Sequence, residues 1–380
     1  MELINFGKIF MSSEKGKIKL LIVNTVPTDK NGITNVIFNL LEAMDRKNMT
    51  IGYVSINDPE EYYKERLNKI GVTLHVIRRK ISSPWHYIKK LTRIAREYDI
   101  MHAHGNSATM VLEMIAAKSA NVKVRAAHSH NTKCNMKVID ALSRPVFYRL
   151  CNLRMACGQD AGRWLFGNKF FHIINNGIDT HKYEYNAYQR DIIRQSLDVQ
   201  DKFVIGHIGN FTDAKNHSFL IDVFAEYYKT NNRSVLILLG DGILREDIEK
   251  KVINLELKHS VIFIGSVNNP EDYMNAMDII IMPSKHEGLP LTLIEEQANG
   301  LKIIASDNIT ADANLTGLIS YLSLTNGTIR WAESIKNTHS IIDSRNMSIS
   351  KDAIHLIETK DYDIFGIANK LKNIYFRALS

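Results

Sequence analysis

The chain alternates short, almost continuously apolar runs with amphipathic stretches, and this alternation occurs twice. In the first half the apolar runs predict strands at residues 18–24, 51–55, 73–77, 100–103, 122–127, 155–157 and 171–174. Helical patterns lie between them, for example at 87–98 and 108–118, and Gly32 is expected to open the helix after the first strand. Strands that are apolar throughout and alternate with helices are typical of a parallel sheet covered on both faces. The first half is therefore predicted to be a doubly wound α/β domain.

The second half repeats the pattern, with strands predicted at 203–208, 235–239, 261–264, 279–282 and 303–305. Helices are expected near 217–228, 244–255 and 291–299, and a last helix at 364–379 is expected to pack across the domains. The polar stretch 179–200 contains no convincing strand, so we place the domain boundary near residue 190. The prediction is two Rossmann-like domains that face a central cleft, at 1–190 and 191–360, followed by a helical segment at 361–380.

Composition narrows the class of protein. Of 380 residues, 45% are hydrophobic and 23% are charged, which excludes a disordered, collagen-like or disulfide-scaffold protein. No apolar stretch approaches the roughly 18 residues of a membrane-spanning helix, and residues 1–17 lack the apolar core of a secretory signal. The three cysteines, Cys134, Cys151 and Cys157, have no metal-binding spacing. These features predict a soluble protein of a reducing compartment.

The positive charge is concentrated in the first half of the chain. Residues 1–200 hold 30 Lys and Arg against 18 Asp and Glu, whereas residues 201–380 hold 18 against 23. The segment 78–96 has seven basic residues, no acid and two aromatic rings, a composition typical of a helix on an anionic membrane. The alternative is a solvated helix face beside a core tryptophan. No groove-reading motif accompanies the charge, so nucleic acid is not expected as a partner. The membrane-facing or acceptor-facing residues predicted here are Arg78, Arg79, Lys80, Trp85, Lys89, Lys90 and Arg93.

Segment 283–307 (PSKHEGLPLTLIEEQANGLKIIASD) carries the most informative pattern. It follows a buried strand, turns at Glu287 and Gly288, and enters a helix that contains Glu295. Ligands of open α/β sheets bind beyond the carboxyl ends of the strands, where helix N-termini favour phosphate and carboxylates accept hydrogen bonds from sugar hydroxyls. The alternative is that both acids are ordinary loop and helix-surface residues.

A second strand, turn and helix pattern opens the second domain at 206–217 (GHIGNFTDAKNH). Lys215 lies at the turn, where a lysine can neutralise a diphosphate as a point charge. The alternative is a solvated lysine at a helix start; a cation is slightly unfavourable there beside the helix dipole, and this cost favours an anionic partner. The turns at 240–242 and 265–267 are expected on the same rim.

Two histidine pairs have a spacing of two residues on predicted strand ends. His102 and His104 point the same way, as do His128 and His130. No third metal ligand is evident for His102 and His104, so buried or surface histidines are favoured over a metal site for that pair, and a core or supporting position is favoured for His128.

Together these motifs resemble those of the retaining glycosyltransferases of family 4, which have the two-domain fold called GT-B, and most closely the bacterial exopolysaccharide and capsule-assembly members. The E-x7-E element from Glu287 to Glu295, in its EGLP context, is the most specific part of the resemblance. The resemblance covers nearly the whole chain. In the first domain it includes the turn at Gly32 and the segments 102–106 (HAHGN), 128–131 (HSHN) and 174–179 (INNGID).

The resemblance implies a role for each matching residue. Glu287 would hold hydroxyls of the donor hexose and Glu295 those of the ribose, and Lys215 would hold the diphosphate. His130 would lie near the sugar and the acceptor. Further donor contacts are implied from the backbone at Gly32, Gly288, Leu289, Leu291 and Thr292, with the base near Ser266 and Val267. Asn210 stands where the family usually has an arginine that grips the diphosphate, and this substitution is expected to weaken stabilisation of the leaving group.

The function implied is transfer of a hexose from a UDP-sugar to a saccharide acceptor, linked to a polyprenyl diphosphate, without a metal or other cofactor. The enzyme would act in the cytoplasm, peripherally at the inner face of the cell membrane, and would associate with other polysaccharide-assembly proteins. Two alternatives remain open: a non-catalytic partner subunit of another glycosyltransferase, which Asn210 would suit, and a nucleotide-sugar 2-epimerase. A nicotinamide oxidoreductase is disfavoured because PTDKNG, not G-x-G-x-x-G, follows the first strand.

Overall fold

The computed structural model describes residues 17–78, 83–132, 134, 136–341 and 345–380. They form two compact units. The first unit takes the residues up to Asn176 together with Ile367–Ser380, and the second unit is Gly177–Gly366.

The first unit contains a seven-stranded sheet. Its strands are β1 (Ile18–Asn24), β2 (Met49–Ser55), β3 (Thr73–Val76), β4 (Ile100–Gly105), β5 (Val124–Ser129), β6 (Leu153–Ala156) and β7 (His172–Ile173). Its helices are α1 (Gly32–Ala43), α2 (Glu61–Lys69), α3 (Pro84–Ala95), α4 (Val111–Ser119), α5 (Lys137–Leu150) and α6 (Gln159–Phe166). All strand pairs are parallel, in the order β3-β2-β1-β4-β5-β6-β7.

The second unit contains a six-stranded parallel sheet in the order β10-β9-β8-β11-β12-β13. Its strands are β8 (Phe203–Ile208), β9 (Ser234–Leu239), β10 (Val261–Gly265), β11 (Ile279–Met282), β12 (Lys302–Ser306) and β13 (Ile319–Leu322). Its helices are α7 (Ala187–Ser196), α8 (His217–Thr230), α9 (Arg245–Asn254), α10 (Pro270–Ala276), α11 (Leu291–Ala298), α12 (Gly327–Ile341) and α13 (Met347–Thr359); the last helix, α14 (Ile364–Leu379), begins here.

Both sheets have the doubly wound strand order, and their central strands are buried on both faces, as their apolar sequences predict. In the second unit, one core cluster contains Val204 and Ile280, and a second contains Ile205 and Ile279. Consecutive residues of one strand thus enter different clusters, because side chains alternate between the two faces of a sheet. The order of the strands reverses direction between β1 and β4 and between β8 and β11. These switch points are where open α/β sheets bind ligands.

The units divide at residues 176 and 177, before the predicted boundary near residue 190. The polar stretch does lack strands, but its helix α7 packs on the second unit. Arg190 and Arg194 of α7 both form ion pairs with Asp278, at 2.5 and 3.3 Å. Asp278 also accepts a hydrogen bond from the backbone N–H of Val204 at the start of β8. Polar residues at the predicted boundary are therefore the ones that attach this helix to the second unit.

The C-terminal helix α14 belongs to the first unit from Ile367 onward. Lys372 forms an ion pair with Asp45 at 2.7 Å. The fully buried Tyr375 hydroxyl lies 2.6 Å from Nδ1 of His102 in β4. The end of the chain thus contacts the sheet that carries the histidine pairs.

Among the described residues, no helix has both the length and the apolar character needed to cross a lipid bilayer.

Candidate functional site

The loops that follow β8 and β11 meet at the switch point of the second sheet. The side chain of Asn216 donates to the carbonyl of Pro283 at 3.1 Å, and the Lys285 N–H donates to the carbonyl of Ala214 at 2.8 Å. Asn216 has a φ of 58°, which asparagine tolerates better than most residues, and begins α8. These bonds hold segment 206–217 next to segment 283–307, the two motifs predicted to bind the donor.

Lys215 and Glu287, predicted as catalytic residues, lie in direct contact. The Lys215 Nζ is 2.7 Å from Oε1 of Glu287, and both side chains are mostly buried. Lys215 and Glu287 are 72 residues apart in sequence and meet because β8 and β11 are neighbours in the sheet. The structure therefore places a cation and a carboxylate side by side at the switch point.

The N-terminus of α11 lies next to Glu287 in sequence. The residue before the helix is Pro290, which makes no side-chain cap, and the first turn contains no acid. An added Cβ at Gly288 would meet no atom within 4 Å. Leu291 and Thr292 are partly exposed here. Helix N–H groups without a capping side chain attract an anion.

Glu295 faces a different set of side chains from Glu287. It accepts a hydrogen bond from the hydroxyl of Tyr183, and burial raises the pKa of its carboxyl group, partly offset by this bond and by Lys182. Lys182 in turn forms an ion pair with Glu271 at 3.3 Å. Glu271 and Asp272 occupy the first turn of α10.

Glu296, which sequence reasoning missed, is fully buried beside Glu295. Neither oxygen of its carboxylate has a hydrogen-bond partner among the described residues. Burial raises the pKa of this group well above its usual range, and the nearby charge of Lys215 opposes the shift. Its carboxyl group therefore lies close enough to Lys215 to interact with the charge of that lysine.

Asn210 is exposed on the loop after β8. The turn at Gly240 packs against this loop so closely that a Cβ there would lie 2.2 Å from the carbonyl oxygen of Gly209, and its φ is 128°. Glycine is therefore required at position 240. Lys285, on the loop after β11, forms an ion pair with the exposed Asp213 at 2.5 Å.

The turn after β10 carries the two residues predicted near the base. Ser266 is exposed, and Val267 is half-buried against the core of the second unit. The N–H of Gly240 donates to the carbonyl of Gly265 at 2.9 Å, so this turn and the turn after β9 are neighbours on one rim.

In the first unit, Gly32 opens α1 directly after the loop that follows β1. The side chain of Asn31 caps the helix by accepting a hydrogen bond from the N–H of Thr34 at 3.0 Å. An added Cβ at Gly32 would meet nothing within 4 Å, and its φ is not positive. The fold itself therefore does not require glycine at position 32.

Four histidines lie together at the carboxyl ends of β4 and β5. His102 and His104 share one face, with ring centroids 4.1 Å apart, and His128 lies 5.1 Å from His104. Nε2 of His130 is 2.9 Å from Nδ1 of His104. Burial lowers the pKa of His102 and His130 to about 3 and that of His104 and His128 well below the usual range. β5 brings His128 next to His102 and His104, a third imidazole that the spacing of that pair did not reveal.

The predicted basic face falls on α3 and the residues before it. Trp85 is 78% exposed, and Arg78, Lys89, Lys90 and Arg93 are exposed as well. Arg79 and Lys80 lie outside the described residues.

Sequence reasoning missed the exposed apolar face of α5. Val138 and Leu142 are 72% and 76% exposed, and Ile139 and Val146 are exposed beside them. Residues spaced by three and four lie on one side of a helix, so these four form a continuous apolar surface. The i, i+4 pattern was visible in the sequence, but such a pattern normally predicts a buried face.

The chain matches two protein families, described as "Glycosyltransferase Family 4" over residues 30–182 and "Glycosyl transferases group 1" over residues 189–313. It is 34% identical over 325 residues to a putative glycosyltransferase, EpsF, of Bacillus subtilis, which covers 81% of this chain and 84% of that protein. It is 26% identical to the capsular polysaccharide biosynthesis glycosyltransferase CapH of Staphylococcus aureus, over 82% of this chain and 86% of that protein.

A third relative is the UDP-Gal:alpha-D-GlcNAc-diphosphoundecaprenol alpha-1,3-galactosyltransferase of Escherichia coli, 27% identical over 56% of this chain and 58% of that protein. Among solved structures, Anabaena Alr3699/HepE in complex with UDP is similar with a TM-score of 0.76 and 18% identity, over 95% of this chain and all of that one. Similarity at that identity shows the fold. With two Rossmann-like domains and a relative of this identity and coverage, the chain belongs to glycosyltransferase family 4 and is a GT-B glycosyltransferase of polysaccharide biosynthesis.

Proposed function

We propose that the chain transfers a hexose from a UDP-sugar to a hydroxyl group of a lipid-linked saccharide, with retention of the anomeric configuration. The observation that carries the proposal is the Lys215–Glu287 ion pair beside the N-terminus of α11. A diphosphate is bound by a cation and by helix N–H groups, and a hexose is bound by a carboxylate that accepts from its hydroxyls. The second unit offers these three kinds of group at one switch point.

In the proposed binding step the diphosphate replaces Glu287 as the partner of Lys215. The carboxylate of Glu287 is then free to accept hydrogen bonds from the hexose, while Glu295 accepts from the ribose. The base is expected near Ser266 and Val267. The backbone groups of Gly288, Leu289 and Gly32 are expected to contact the diphosphate and the sugar. The choice of UDP is supported by the donor named for the Escherichia coli relative.

In the proposed transfer step the bond between the anomeric carbon and the diphosphate oxygen breaks, and the acceptor oxygen bonds to that carbon on the same face. The leaving phosphate oxygen takes the acceptor's proton, so configuration is retained without a glycosyl-enzyme adduct. Lys215 stabilises the negative charge of the leaving group, and no metal ion or cofactor is needed for it. His130, kept neutral by burial, serves as a hydrogen-bonding group near the acceptor.

The proposed acceptor is linked to a polyprenyl diphosphate at an anionic membrane surface. The exposed apolar face of α5 and the exposed basic side chains of α3 support this, because an interfacial surface combines apolar side chains with lysine and arginine. The name of the Escherichia coli relative, which contains diphosphoundecaprenol, supports a lipid-linked acceptor. Peripheral attachment at the inner face of the cell membrane, beside other polysaccharide-assembly proteins, belongs to the same proposal.

The first experiment is a titration of purified protein with a panel of nucleotide-sugars, following both heat and release of free nucleotide. We expect one UDP-sugar to bind, and Lys215→Ala to lower the rate of UDP release by about 100-fold to 1,000-fold, as loss of one charge-stabilising group does. Glu295→Ala is expected to weaken binding of the same donor. Lys250→Ala is the matched control, because Lys250 is an exposed lysine of the same unit that pairs only with Asp247 among the described residues.

Other outcomes of this experiment contradict the proposal in distinct ways. Absence of binding and release across the panel would favour a non-catalytic partner subunit, with Asn210 as the residue to examine first. Release of UDP with an epimerised sugar and no acceptor would indicate a 2-epimerase. Trapping of a glycosyl-enzyme adduct would overturn the proposed mechanism while leaving the transferase in place.

A further inference from the structure

We propose that His102, His104 and His128 form a binding site for one divalent transition-metal ion, such as Zn²⁺, in the first unit. β4 pairs with β5 so that His104 lies directly opposite His128, and His102 lies two residues earlier on the same face of β4. Each ring has a nitrogen that can ligate a metal, and these three atoms all lie within 4.8 Å of one another. The parallel register of two strands thus makes a three-imidazole set that the sequence spacing alone could not show.

The hydrogen bonds of the cluster engage Nδ1 of His102 and Nδ1 of His104. Nδ1 of His102 is engaged by the Tyr375 hydroxyl at 2.6 Å, which leaves Nε2. Nδ1 of His104 is engaged by His130 at 2.9 Å, which also leaves Nε2. Metal-ligating histidines are held in this way, since a hydrogen bond to the second nitrogen fixes the ring and its tautomer.

The buried nitrogens that lack a hydrogen-bond partner among the described residues support a metal site independently of the spacing of the rings. Nε2 of His102 and both nitrogens of His128 are buried without a hydrogen-bond partner among the described residues. All three ligand side chains are at most 1% exposed. A buried polar atom without a partner destabilises the folded protein, and coordination of an ion would supply partners to atoms on two of the three rings.

The donor set selects the class of metal. Imidazole nitrogens suit Zn²⁺, Co²⁺, Ni²⁺ and Cu²⁺, whereas Mg²⁺, Ca²⁺ and Mn²⁺ prefer oxygen ligands. Three histidines leave the fourth tetrahedral position for water or an oxygen of a ligand. With Zn–N distances of about 2.0–2.1 Å, ligand atoms of one ion lie about 3.4 Å apart, so the rings rotate slightly on binding. The proposed transfer reaction does not use this ion, and the two proposals stand or fall separately.

The test is direct binding of Co²⁺ and Zn²⁺ to the full chain, prepared without a polyhistidine tag and freed of metal by a chelator. We expect one Co²⁺ per chain, with the visible absorption of tetrahedral coordination, and its displacement by Zn²⁺. This measurement needs no variant and no activity. Absence of both the Co²⁺ spectrum and any heat of Zn²⁺ binding would overturn the proposal.

Variants locate the ion. His128→Gln is expected to lower Zn²⁺ affinity by at least about tenfold, and Tyr375→Phe, which keeps every ligand but removes the bond to His102, by about tenfold. His172→Gln on β7 is the control, since it alters a half-buried histidine of the same sheet outside the cluster. Circular dichroism of each variant checks folding. Zn²⁺ affinity that is unchanged in folded His128→Gln and Tyr375→Phe would place the ion elsewhere and overturn the assignment.

Discussion

At the scale of single residues, a substitution at Gly32 is expected to affect folding stability and binding of the proposed donor in opposite directions. Its φ is not positive and an added Cβ meets no protein atom within 4 Å, so Gly32→Ala is expected to raise the free energy of unfolding by about 0.4–1 kcal/mol. The same methyl group would stand where the proposed donor approaches, so kcat/KM for the UDP-sugar is expected to fall at least about tenfold. Urea unfolding and steady-state kinetics measure the two effects.

The matched control for this substitution is Gly71→Ala in the same unit. Gly71 also has open space around it, but its φ is +69°, so alanine is strained there. We expect destabilisation of about 1 kcal/mol with unchanged kcat/KM. If Gly32→Ala lost stability and kept its kinetics, Gly32 would serve the fold and not a ligand.

The residues at the proposed donor site divide into those that a motif predicts and those that only packing reveals. Lys215 and Glu287 each follow an apolar strand at a glycine-containing turn, so their position at the strand ends was predictable. Glu296 was not, because adjacent helical residues point about 100° apart and the sequence does not say whether Glu295 or Glu296 turns inward. The structure answers this: Glu296 is fully buried, whereas Glu295 is only partly so.

At the scale of elements, α5 makes the proposed membrane contact testable. The double variant Val138→Asp, Leu142→Asp removes two apolar side chains from its exposed face and adds negative charge. We expect binding to vesicles of mixed phosphatidylcholine and phosphatidylglycerol to weaken by at least about tenfold, because each buried aliphatic side chain contributes about 1.5–3 kcal/mol. Sedimentation of protein with vesicles measures this.

The control for the vesicle experiment is Ile243→Asp in the second unit. Ile243 is 90% exposed but stands outside the α5 face, so vesicle binding should not change. Equal binding by wild type and the α5 variant would show that this face does not contact lipid, and attention would move to another partner for it.

Strands were the elements best predicted from sequence, and the reason is physical. β1, β8 and β11 have the predicted bounds because a strand buried on both faces is apolar throughout and stops where polar turn residues begin. β13 was missed, since it is a four-residue edge strand with one exposed and two half-buried positions. Helix α7 was not predicted, because its attachment is made by arginines and not by an apolar face.

At the scale of the whole molecule, the buried histidines of the second unit make stability depend on pH. His217 stacks on Phe211 and lies next to His207, and burial, reinforced by the charge of Lys215, lowers its pKa to about 4. The pKa of His207 is lowered well below its usual range, chiefly by burial. In the unfolded chain both histidines titrate near pH 6.5. Below that pH the unfolded state binds more protons than the folded state, so stability is fully present above about pH 6.5 and falls as the solution is acidified.

For His217 the loss between pH 7.5 and pH 5 is about 2 kcal/mol of unfolding free energy, and it levels off below the folded pKa of about 4. His217→Gln, which carries no charge at either pH, should reduce the difference in unfolding free energy between these two pH values by about that amount. Urea titrations of wild type and variant, each at both pH values, measure it. His259→Gln, an exposed histidine of the same unit, should leave the difference unchanged. A difference as large in His217→Gln as in wild type would mean that His217 is protonated in the folded protein and that acid sensitivity has another source.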